Sequence, residues 1–328
     1  MKLATYKDGS RDGQLVVVSR DLTLAHYASG VATRLQQVLD DWNFLSPQLQ
    51  ELSQTLNHGK ARHAFAFDPR MCMAPLPRAC QRADGSAFIH QVELVRKARG
   101  AEPPENLDTE PLMYQGGSDD LQGPCDDIVC ASADLGIDFE AEVAVVTGDV
   151  PMGTAADHAI DGIRLLMLAN AVSLRHLVPA ELAKGFGFLQ SKPATAFSPV
   201  AATPDELLGA WHGGRVHLNL ESVWNGRRVG RVDAGPQMHF HFGQLIAHLC
   251  RTRNVRAGCI VGSGAVGNRD GSRGYSCIAE KRAIETIEGG SPQTPFMQFG
   301  DTIRIEMKDD HGQSLFGAIE QKVVAAGA

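Results

Sequence analysis

The amino-acid sequence predicts an α+β protein dominated by β-structure, with a small N-terminal α+β domain before a larger C-terminal domain. Three observations support this fold class. Several short runs rich in β-branched residues in the second part of the chain indicate strands. Two stretches in that part have apolar residues at helical spacing. A proline-rich segment separates it from a shorter part that combines a hairpin pattern with helical periodicity.

The composition is that of an ordinary globular protein and excludes several partners. Of 328 residues, 43% are hydrophobic and 21% are charged, which is enough apolar material for a sizeable core. The formal net charge is -7 and basic residues are scattered, so we expect no nucleic-acid partner. No apolar signal core and no run of about 18 apolar residues occurs, so we expect a soluble, cytoplasmic protein without a membrane partner. The seven cysteines have no Cys-x-x-Cys spacing, which favours reduced thiols.

The N-terminal domain is predicted to span residues 1–74 and to contain a hairpin and two helices. The β-branched run Gln14–Val18 follows a turn-prone Asp-Gly-Ser segment, which indicates a strand of a short hairpin. Over 31–56, apolar residues recur at intervals of three and four, the spacing of one face of a helix. We expect Pro47 to divide this stretch into two helices, because proline is not tolerated inside one. The proline-rich segment 68–77 marks the domain boundary.

The C-terminal domain, residues 75–328, is predicted to consist mainly of strands and irregular loops. Strands are expected at 142–146, 215–220, 259–261 and 302–306, and helices at 155–171 and 242–252. Asn225-Gly226 lies between two strand-like runs and predicts a two-residue hairpin turn, because both residues tolerate a positive φ.

Two glutamates at the start of the strand 142–146 are the first candidates for chemistry. Glu140 and Glu142 lie two residues apart, which places both side chains on one face of a strand. An isolated Glu-x-Glu pair is usually solvated, but this pair precedes an apolar strand that should be buried. Two unpaired carboxylates there would be costly unless a cation neutralised them. A hard divalent ion, Mg²⁺ or Ca²⁺, is the natural partner of such oxygen ligands.

Around these glutamates the sequence resembles the fumarylacetoacetate hydrolase family. The motif 138–142, Asp-Phe-Glu-Ala-Glu, is similar to the Asp-aromatic-Glu-x-Glu strand that supplies two metal ligands in that family. The segments 170–175, 190–199, 261–264 and 299–301 resemble further family motifs in the same order, and the resemblance extends over 84–319. It implies the family's fold, a fumarylacetoacetase-like mixed β-roll or sandwich behind the small N-terminal domain, usually paired as a homodimer.

The resemblance also implies roles for individual residues. Arg175 can serve either a substrate carboxylate or a structural salt bridge, because its planar fork suits both. Carried over by position, the roles are metal ligation by Asp84, Glu140 and Glu142, polarisation of the substrate by Lys192, and substrate contact by Tyr114, Arg175, Lys192 and Gly264.

Several positions depart from the family pattern. Ala171 stands where the family has a fourth aspartate ligand, so metal binding would be weakened or the site disabled, either naturally or deliberately. Gln91 stands where the family has its general-base histidine, and glutamine cannot accept a proton near neutral pH. His90 is the nearest substitute, but on a strand it would face away from that position. Ala265 replaces a threonine that helps to bind substrate oxygens, and Glu280 loosely matches the glutamate that orients the base.

The leading hypothesis is hydrolysis of a carbon-carbon bond in a β-diketo acid such as fumarylacetoacetate or an acylpyruvate, in the catabolism of aromatic compounds such as tyrosine. The metal would chelate the substrate oxygens, a histidine-activated water would attack the carbonyl, and Lys192 would stabilise the developing charge. Two alternatives stay open: decarboxylation, isomerisation or hydration of an oxo acid, and a catalytically lapsed protein. A zinc site at His239, His241 and His248 and a dinucleotide site at 262–267 are disfavoured, because a third ligand of fixed spacing and a βαβ context are missing.

Overall fold

A computed structural model describes residues 1–327 of the chain and confirms a mixed, strand-rich fold. The helices are α1 (Leu35–Asp40), α2 (Trp42–Asn57), α3 (Ile89–Ala98), α4 (Ala156–Ala159), α5 (Val178–Lys184), α6 (Phe242–Leu249) and α7 (Ile278–Gly289). The strands of the first half are β1 (Lys2–Tyr6), β2 (Gln14–Val18), β3 (Leu24–Tyr27), β4 (Phe65–Ala66), β5 (Gln81–Gly85), β6 (Met113–Gly116), β7 (Leu121–Gln122), β8 (Ile128–Cys130), β9 (Ile137–Asp138) and β10 (Ala141–Thr147). Those of the second half are β11 (Ile163–Asn170), β12 (Ser173–Leu174), β13 (Thr195–Phe197), β14 (Ala201–Ala202), β15 (Trp211–His212), β16 (Arg215–Val216), β17 (Asn219–Trp224), β18 (Arg227–Asp233), β19 (Cys259–Gly262), β20 (Thr302–Met307) and β21 (Ile319–Ala325).

A 12-stranded mixed sheet forms the centre of the molecule. Its main path has the order β4-β3-β2-β1-β14-β11-β10-β19-β5-β6, and off this path β13 pairs with β11 and β7 pairs with β13. The N-terminal strands join this sheet through β1 and β14, where Lys2 lies opposite Ala202. The sheet is therefore continuous across the boundary predicted after residue 74, and the division of the chain at that point stays a prediction.

A second sheet of five strands has the order β18-β17-β20-β21-β8. Its β17–β18 hairpin turns at Asn225 and Gly226, whose φ angles are 50° and 74°, so the predicted hairpin is confirmed. All seven cysteines are free, as expected. Among residues 1–327, no helix combines the length and hydrophobicity needed to span a bilayer.

The apolar core lies on both faces of the central sheet. Along β10, Val143 and Val145 pack into one apolar cluster, whereas Ala144 and Val146 pack into another. A strand that is covered on both sides needs apolar residues at successive positions rather than alternate ones. Glu142 on β10 and Glu140, just before this strand, are therefore buried next to an apolar interior.

The predicted helix at 155–171 is wrong for most of its length. Only α4 and a 3-10 turn at Ile160–Gly162 are helical there, and β11 follows as a central strand paired with β10. Because β11 is buried almost throughout, its near-continuous apolar sequence lacks the alternation of a half-buried strand and resembles the spacing of a helix.

Two smaller expectations also differ from the structure. The break between the first two helices lies at Asp41, whose φ of -131° is non-helical, and Pro47 lies inside α2. Pro47 is in the second turn of α2, where it removes the backbone hydrogen bond to the carbonyl of Asn43, and α2 continues without that bond. The predicted strand 215–220 is divided, because β16 ends at Val216 and β17 begins at Asn219.

Candidate active site

The order of strands in the central sheet brings candidate ligands together from distant parts of the chain. In the pairing of β10 with β19, Ala144 lies opposite Gly262. β19 runs parallel to β5, where Gly262 is the partner of Asp84, and β5 pairs with β6, where Asp84 lies opposite Tyr114. Glu142 is two residues from Ala144 on β10, so its side chain points to the same face of the sheet.

Gly262 provides the space between two of the predicted ligands. A Cβ atom at this position would lie 2.4 Å from Oδ1 of Asp84 and 3.0 Å from Oε2 of Glu142. Any side chain would therefore collide with the first carboxylate and crowd the second. The family-like glycine turn at 261–264 predicts a glycine here, but this role follows only from the pairing of three strands.

Asp84 is buried and is bonded through both carboxylate oxygens. Its Oδ2 accepts hydrogen bonds from the Tyr114 hydroxyl at 2.8 Å and the Arg82 guanidinium at 2.7 Å, and its Oδ1 accepts one from the N–H of Gly264 at 3.1 Å. Burial, followed by the Asp84 carboxylate, raises the pKa of Tyr114, which keeps its hydroxyl a donor. Sequence reasoning missed Arg82, although its spacing of two residues from Asp84 on a strand could have identified it.

Glu142 has no such partners. Its side chain is 1% exposed, and neither carboxylate oxygen has a hydrogen-bond partner among residues 1–327. Burial raises the pKa of Glu142 well above its ordinary value, and the Asp84 carboxylate adds to this rise. A buried, unpartnered carboxylate is costly, and a divalent cation beside both carboxylates would offset that cost. The residues present therefore fit a bound cation at this point.

Glu140 is neutralised by cations of the chain itself. Its Oε1 accepts a hydrogen bond from the Lys192 ammonium at 2.7 Å and lies 3.0 Å from the Arg175 guanidinium, and the Ser173 hydroxyl donates to the same oxygen. Burial alone would raise the pKa of Glu140, but the two cations lower it below its ordinary value. Lys192 also donates to the carbonyl of Ala171 at 3.2 Å.

The three predicted ligands do not converge as one set. Within the described residues, no group of three or more His, Cys, Asp or Glu side chains has the spacing to hold a metal ion. Asp84 and Glu142 face each other across Gly262, whereas Glu140 contacts Lys192. The structure thus brings two of the three together, and ligation by all three stays a prediction.

The candidate base, His90, lies close to the carboxylate of Glu280, and each residue is near the N-terminal end of a helix. His90 lies on α3 rather than on the strand we expected, and Glu280 lies in the first turn of α7. Nε2 of His90 is 3.8 Å from Oε1 of Glu280, and Gln91 donates to Oε2 of Glu280 at 3.0 Å. Successive residues on a helix are separated by about 100° rather than 180°, so His90 and Gln91 can face the same carboxylate. A Cβ at Gly267 would lie 2.6 Å from the ring of His90, so a larger residue there would force this ring to shift.

Asp138 and Arg175 connect Glu140 to the start of α7, the helix that carries Glu280. Asp138 accepts hydrogen bonds from the N–H groups of Ile278 at 2.6 Å and Ala279 at 3.0 Å, at the start of α7. It also accepts one from Nε of Arg175 at 2.7 Å, and Arg175 reaches Glu140. Burial raises the pKa of Asp138 despite this cation. Two roles were expected for Arg175, a structural salt bridge and a contact with substrate. The structure shows the salt bridge, and the substrate contact stays a prediction.

The two remaining predicted positions belong to the turn after β19. Gly264 has a φ of 71°, and a Cβ there would lie 2.2 Å from the carbonyl oxygen of Gly85, so only glycine fits. Ala265 is buried and offers no polar side chain. A contact of Gly264 with substrate stays a prediction, and its observed role is the hydrogen bond to Asp84.

Two family models match the chain over almost its whole length. The fumarylacetoacetase N-terminal domain 2 model matches residues 1–78, and the fumarylacetoacetate (FAA) hydrolase C-terminal model matches residues 81–324. A related protein is the 2,4-didehydro-3-deoxy-L-rhamnonate hydrolase of Sphingomonas sp. strain SKA58, which is 30% identical over 146 residues. The match covers 44% of this chain and 48% of that protein, so the alignment spans about half of the relative.

Solved structures of similar fold cover the whole chain. The fumarylacetoacetate hydrolase from Exiguobacterium antarcticum has a TM-score of 0.67 at 17% identity, with 99% of each chain covered. The maleylpyruvate hydrolase from Sphingobium sp. SYK-6, in complex with manganese(II) ion and pyruvate, has a TM-score of 0.65 at 15% identity, with 99% of each chain covered. At these identities the likeness shows a common fold that includes both the N-terminal and the C-terminal parts.

Proposed function

The chain belongs to the fumarylacetoacetate hydrolase family, and from this premise we propose that it is a metal-dependent hydrolase of a β-diketo acid of the fumarylacetoacetate or acylpyruvate type. The reaction would cleave a carbon-carbon bond during the catabolism of aromatic compounds such as tyrosine. The observation that carries the proposal is the buried, unpartnered carboxylate of Glu142 beside Asp84. Such a cleavage needs a cation site, because negative charge develops on the enolate that leaves.

Asp84 and Glu142 would hold the divalent ion, Mg²⁺ or Ca²⁺, with Glu140 as a third ligand. When bound, this ion supplies Lewis-acid polarisation of the substrate oxygens. Burial opposes a charge on Lys192, but the Glu140 carboxylate raises the pKa of this lysine above its ordinary value. Lys192 therefore stays an ammonium, which can stabilise the enolate charge as it develops.

His90 would activate the attacking water. Its Nε2 is buried without a hydrogen-bond partner among residues 1–327 and lies 3.8 Å from the Glu280 carboxylate. A neutral imidazole with a free nitrogen can accept a proton from water, and the carboxylate beside it stabilises the imidazolium that results. Gln91 holds the other oxygen of Glu280 and so fixes the direction of that carboxylate.

A reaction without a water-activating base is the second candidate. The carboxylate of Glu280 is closer to the Gln91 amide, at 3.0 Å, than to the His90 ring, at 3.8 Å. Decarboxylation or isomerisation of an oxo acid would use the cation site and Lys192 but not a hydrolytic water. The side chains of Ala171 and Ala265 are apolar and buried. They favour a third candidate, a catalytically lapsed enzyme that keeps the fold and serves as a binding protein.

The deciding experiment follows the diketo-acid absorbance of fumarylacetoacetate and of a simple acylpyruvate, with Mg²⁺, with Ca²⁺ and with chelator, and identifies products by NMR. Metal-dependent loss of absorbance with two cleavage products supports the hydrolase. Carbon dioxide or an isomer without cleavage supports the second candidate. No turnover and no ion binding supports the lapsed protein. Light scattering on the same sample tests the proposal that the protein is a homodimer. We also propose that it is located in the cytoplasm.

A further inference from the structure

The lysine loop, residues 185–191, leads directly into Lys192 and has no helix or strand of its own. It begins where α5 ends and contains Gly185 and Gly187, whose φ angles are 75° and 92°. Phe186 and Leu189 are 99% and 81% exposed, so apolar packing does not fix this part of the loop. The ammonium of Lys192 is hydrogen-bonded to Glu140 and to the carbonyl of Ala171, so the backbone position at the end of the loop sets its reach into the site.

The carboxylate of Glu181 anchors the end of this loop, beside the hydrogen bond that the N–H of Leu174 donates to the Ser191 carbonyl at 2.8 Å. Glu181 on α5 is buried and accepts hydrogen bonds from the N–H groups of Gln190 at 2.7 Å, Leu189 at 3.2 Å and Ser191 at 3.2 Å. The Ser191 hydroxyl donates to the same carboxylate. Hydrogen bonds to an ionised acceptor are stronger than neutral ones. The last three residues before Lys192 are therefore tied to the preceding helix.

The anchored loop also touches the site. The Phe188 ring packs edge-on against Tyr114, with ring centroids 5.2 Å apart. The Lys192 ammonium lies 5.4 Å from the centre of the same tyrosine ring. Tyr114 in turn donates to Asp84. A displacement of the loop would thus move the lysine relative to the candidate cation site.

We propose that Glu181 is a positioning residue that fixes Lys192 at the reacting centre. This inference rests on the proposed function, in which Lys192 stabilises the enolate charge. Glu181 makes no contact with the substrate in this scheme and acts only through the backbone of the lysine loop. A misplacement of about 1 Å in a reacting group can lower the rate about 100-fold, so a loosened loop is expected to impair turnover more than binding.

Glu285 offers a matched control in the same chain. On α7 it accepts hydrogen bonds from the N–H groups of Gln293 at 2.7 Å and Thr294 at 2.8 Å, and from the Thr294 hydroxyl at 2.7 Å. Although burial opposes it, hydrogen bonding lowers the pKa of Glu181 and of Glu285 to about 2. The two carboxylates thus anchor their loops alike, but the loop held by Glu285 leads to β20 instead of Lys192.

The experiment compares Glu181→Gln and Glu285→Gln in the full chain. Each change keeps the side-chain shape but turns N–H donors toward the N–H groups of the loop. Thermal unfolding first establishes that both variants fold. Acylation of Lys192 by acetic anhydride, followed by peptide mass spectrometry, then reports its accessibility. Metal-supplemented kinetics with a diketo acid give kcat and KM.

For Glu181→Gln we expect acylation of Lys192 to be about tenfold faster, because the loop opens more often. We also expect kcat to fall about tenfold or more, with KM within about twofold of the wild-type value. Glu285→Gln should match the wild type in both measurements. If Glu181→Gln does not fold, Ser191→Ala removes the hydroxyl donor from the same anchor and should show the same changes at a smaller size.

Unchanged acylation or unchanged kcat in folded Glu181→Gln protein would overturn the proposal. Equal changes in both variants would also overturn it, because they would indicate a general loss of stability. If the wild-type protein turns over no diketo acid, the proposed function is wrong, but the acylation rates still decide whether Glu181 holds Lys192 in place.

Discussion

Replacing Glu142 by glutamine is expected to abolish the stabilisation of this protein by divalent ions. Glu142 is buried and both of its oxygens are unpartnered within the described chain, whereas Asp84 is bonded to Arg82 and Tyr114. The change Glu142→Gln keeps the shape of the side chain and removes the charge that holds a hard cation. The remaining carboxylates, Asp84 and Glu140, are already paired with cations of the chain, so they should bind an ion only weakly.

The size of the effect follows from linkage between binding and folding. A ligand that binds only the folded protein adds about 2.7 kcal/mol of stability when its concentration is about 100 times Kd. An unfolding entropy of about 2.1 cal/mol/K per residue gives about 0.7 kcal/mol/K for a chain of 328 residues. Saturating ion should therefore raise the Tm of the wild-type protein by about 4 °C, and that of Glu142→Gln by less than about 1 °C.

Circular dichroism melts with Mg²⁺, Ca²⁺ or chelator measure this shift. In chelator at neutral pH, Glu142→Gln is expected to be more stable than the wild type. Burial and then Asp84 raise the pKa of Glu142, so the wild type loses stability as pH rises above the ordinary value of 4.5 toward the raised one. Glu306→Gln, at a largely buried glutamate paired with Arg304, is the control and should keep the full response to ion. A shift of about 4 °C retained in Glu142→Gln would refute the reasoning.

Three further results are expected. Ala171→Asp should tighten Mg²⁺ binding about tenfold in calorimetry, because it adds a charged ligand, and an unchanged affinity would argue against the assigned position. His90→Ala should lower kcat about 100-fold and Gln91→Ala far less, and similar losses in steady-state kinetics would contradict the role of His90 as base. Because the pKa of Glu285 is lowered from 4.5 to about 2, its contribution is present above pH 4.5 and is lost as pH falls toward 2. Urea unfolding of Glu285→Gln should therefore differ from the wild type near neutral pH and converge with it near pH 2, and a constant difference would exclude this origin.

Elements of the fold that depend on local chemistry could be predicted from sequence. Asn225-Gly226 specifies its hairpin because the turn itself requires a positive φ at two successive residues. The strand β11 could not be predicted in this way, because its identity depends on β10 beside it and on apolar layers on both faces. Its sequence contains the apolar residues that either a buried strand or a helix would need, and only the tertiary pairing distinguishes the two.

The same distinction between local sequence and tertiary pairing applies to the candidate site. Glu140 and Glu142 could be selected from sequence because charges that begin an apolar strand require an explanation. The space at Gly262 arises where three strands meet, so no local pattern shows it, whereas the ion pair of Arg82 with Asp84 lies within one strand and could have been identified from its spacing. Similarly, an alternating pattern cannot describe His90, whose face is set by a helix that the sequence analysis did not predict.

The departures from the family pattern affect two parts of this geometry. Ala171 and Ala265 remove polar groups from the proposed metal and substrate positions, although Asp84, Glu142 and Lys192 are present. At the proposed base, Gln91 donates to Glu280 at 3.0 Å, whereas His90 lies 3.8 Å from that carboxylate. If the His90 ring moved about 1 Å closer to Glu280, it would lie within hydrogen-bond distance of that carboxylate. Such a hydrogen bond would orient His90 as the base of a hydrolytic reaction. Enolate chemistry without an attacking water would need no such movement, so the partner of Glu280 would distinguish the proposed hydrolysis from the second candidate reaction.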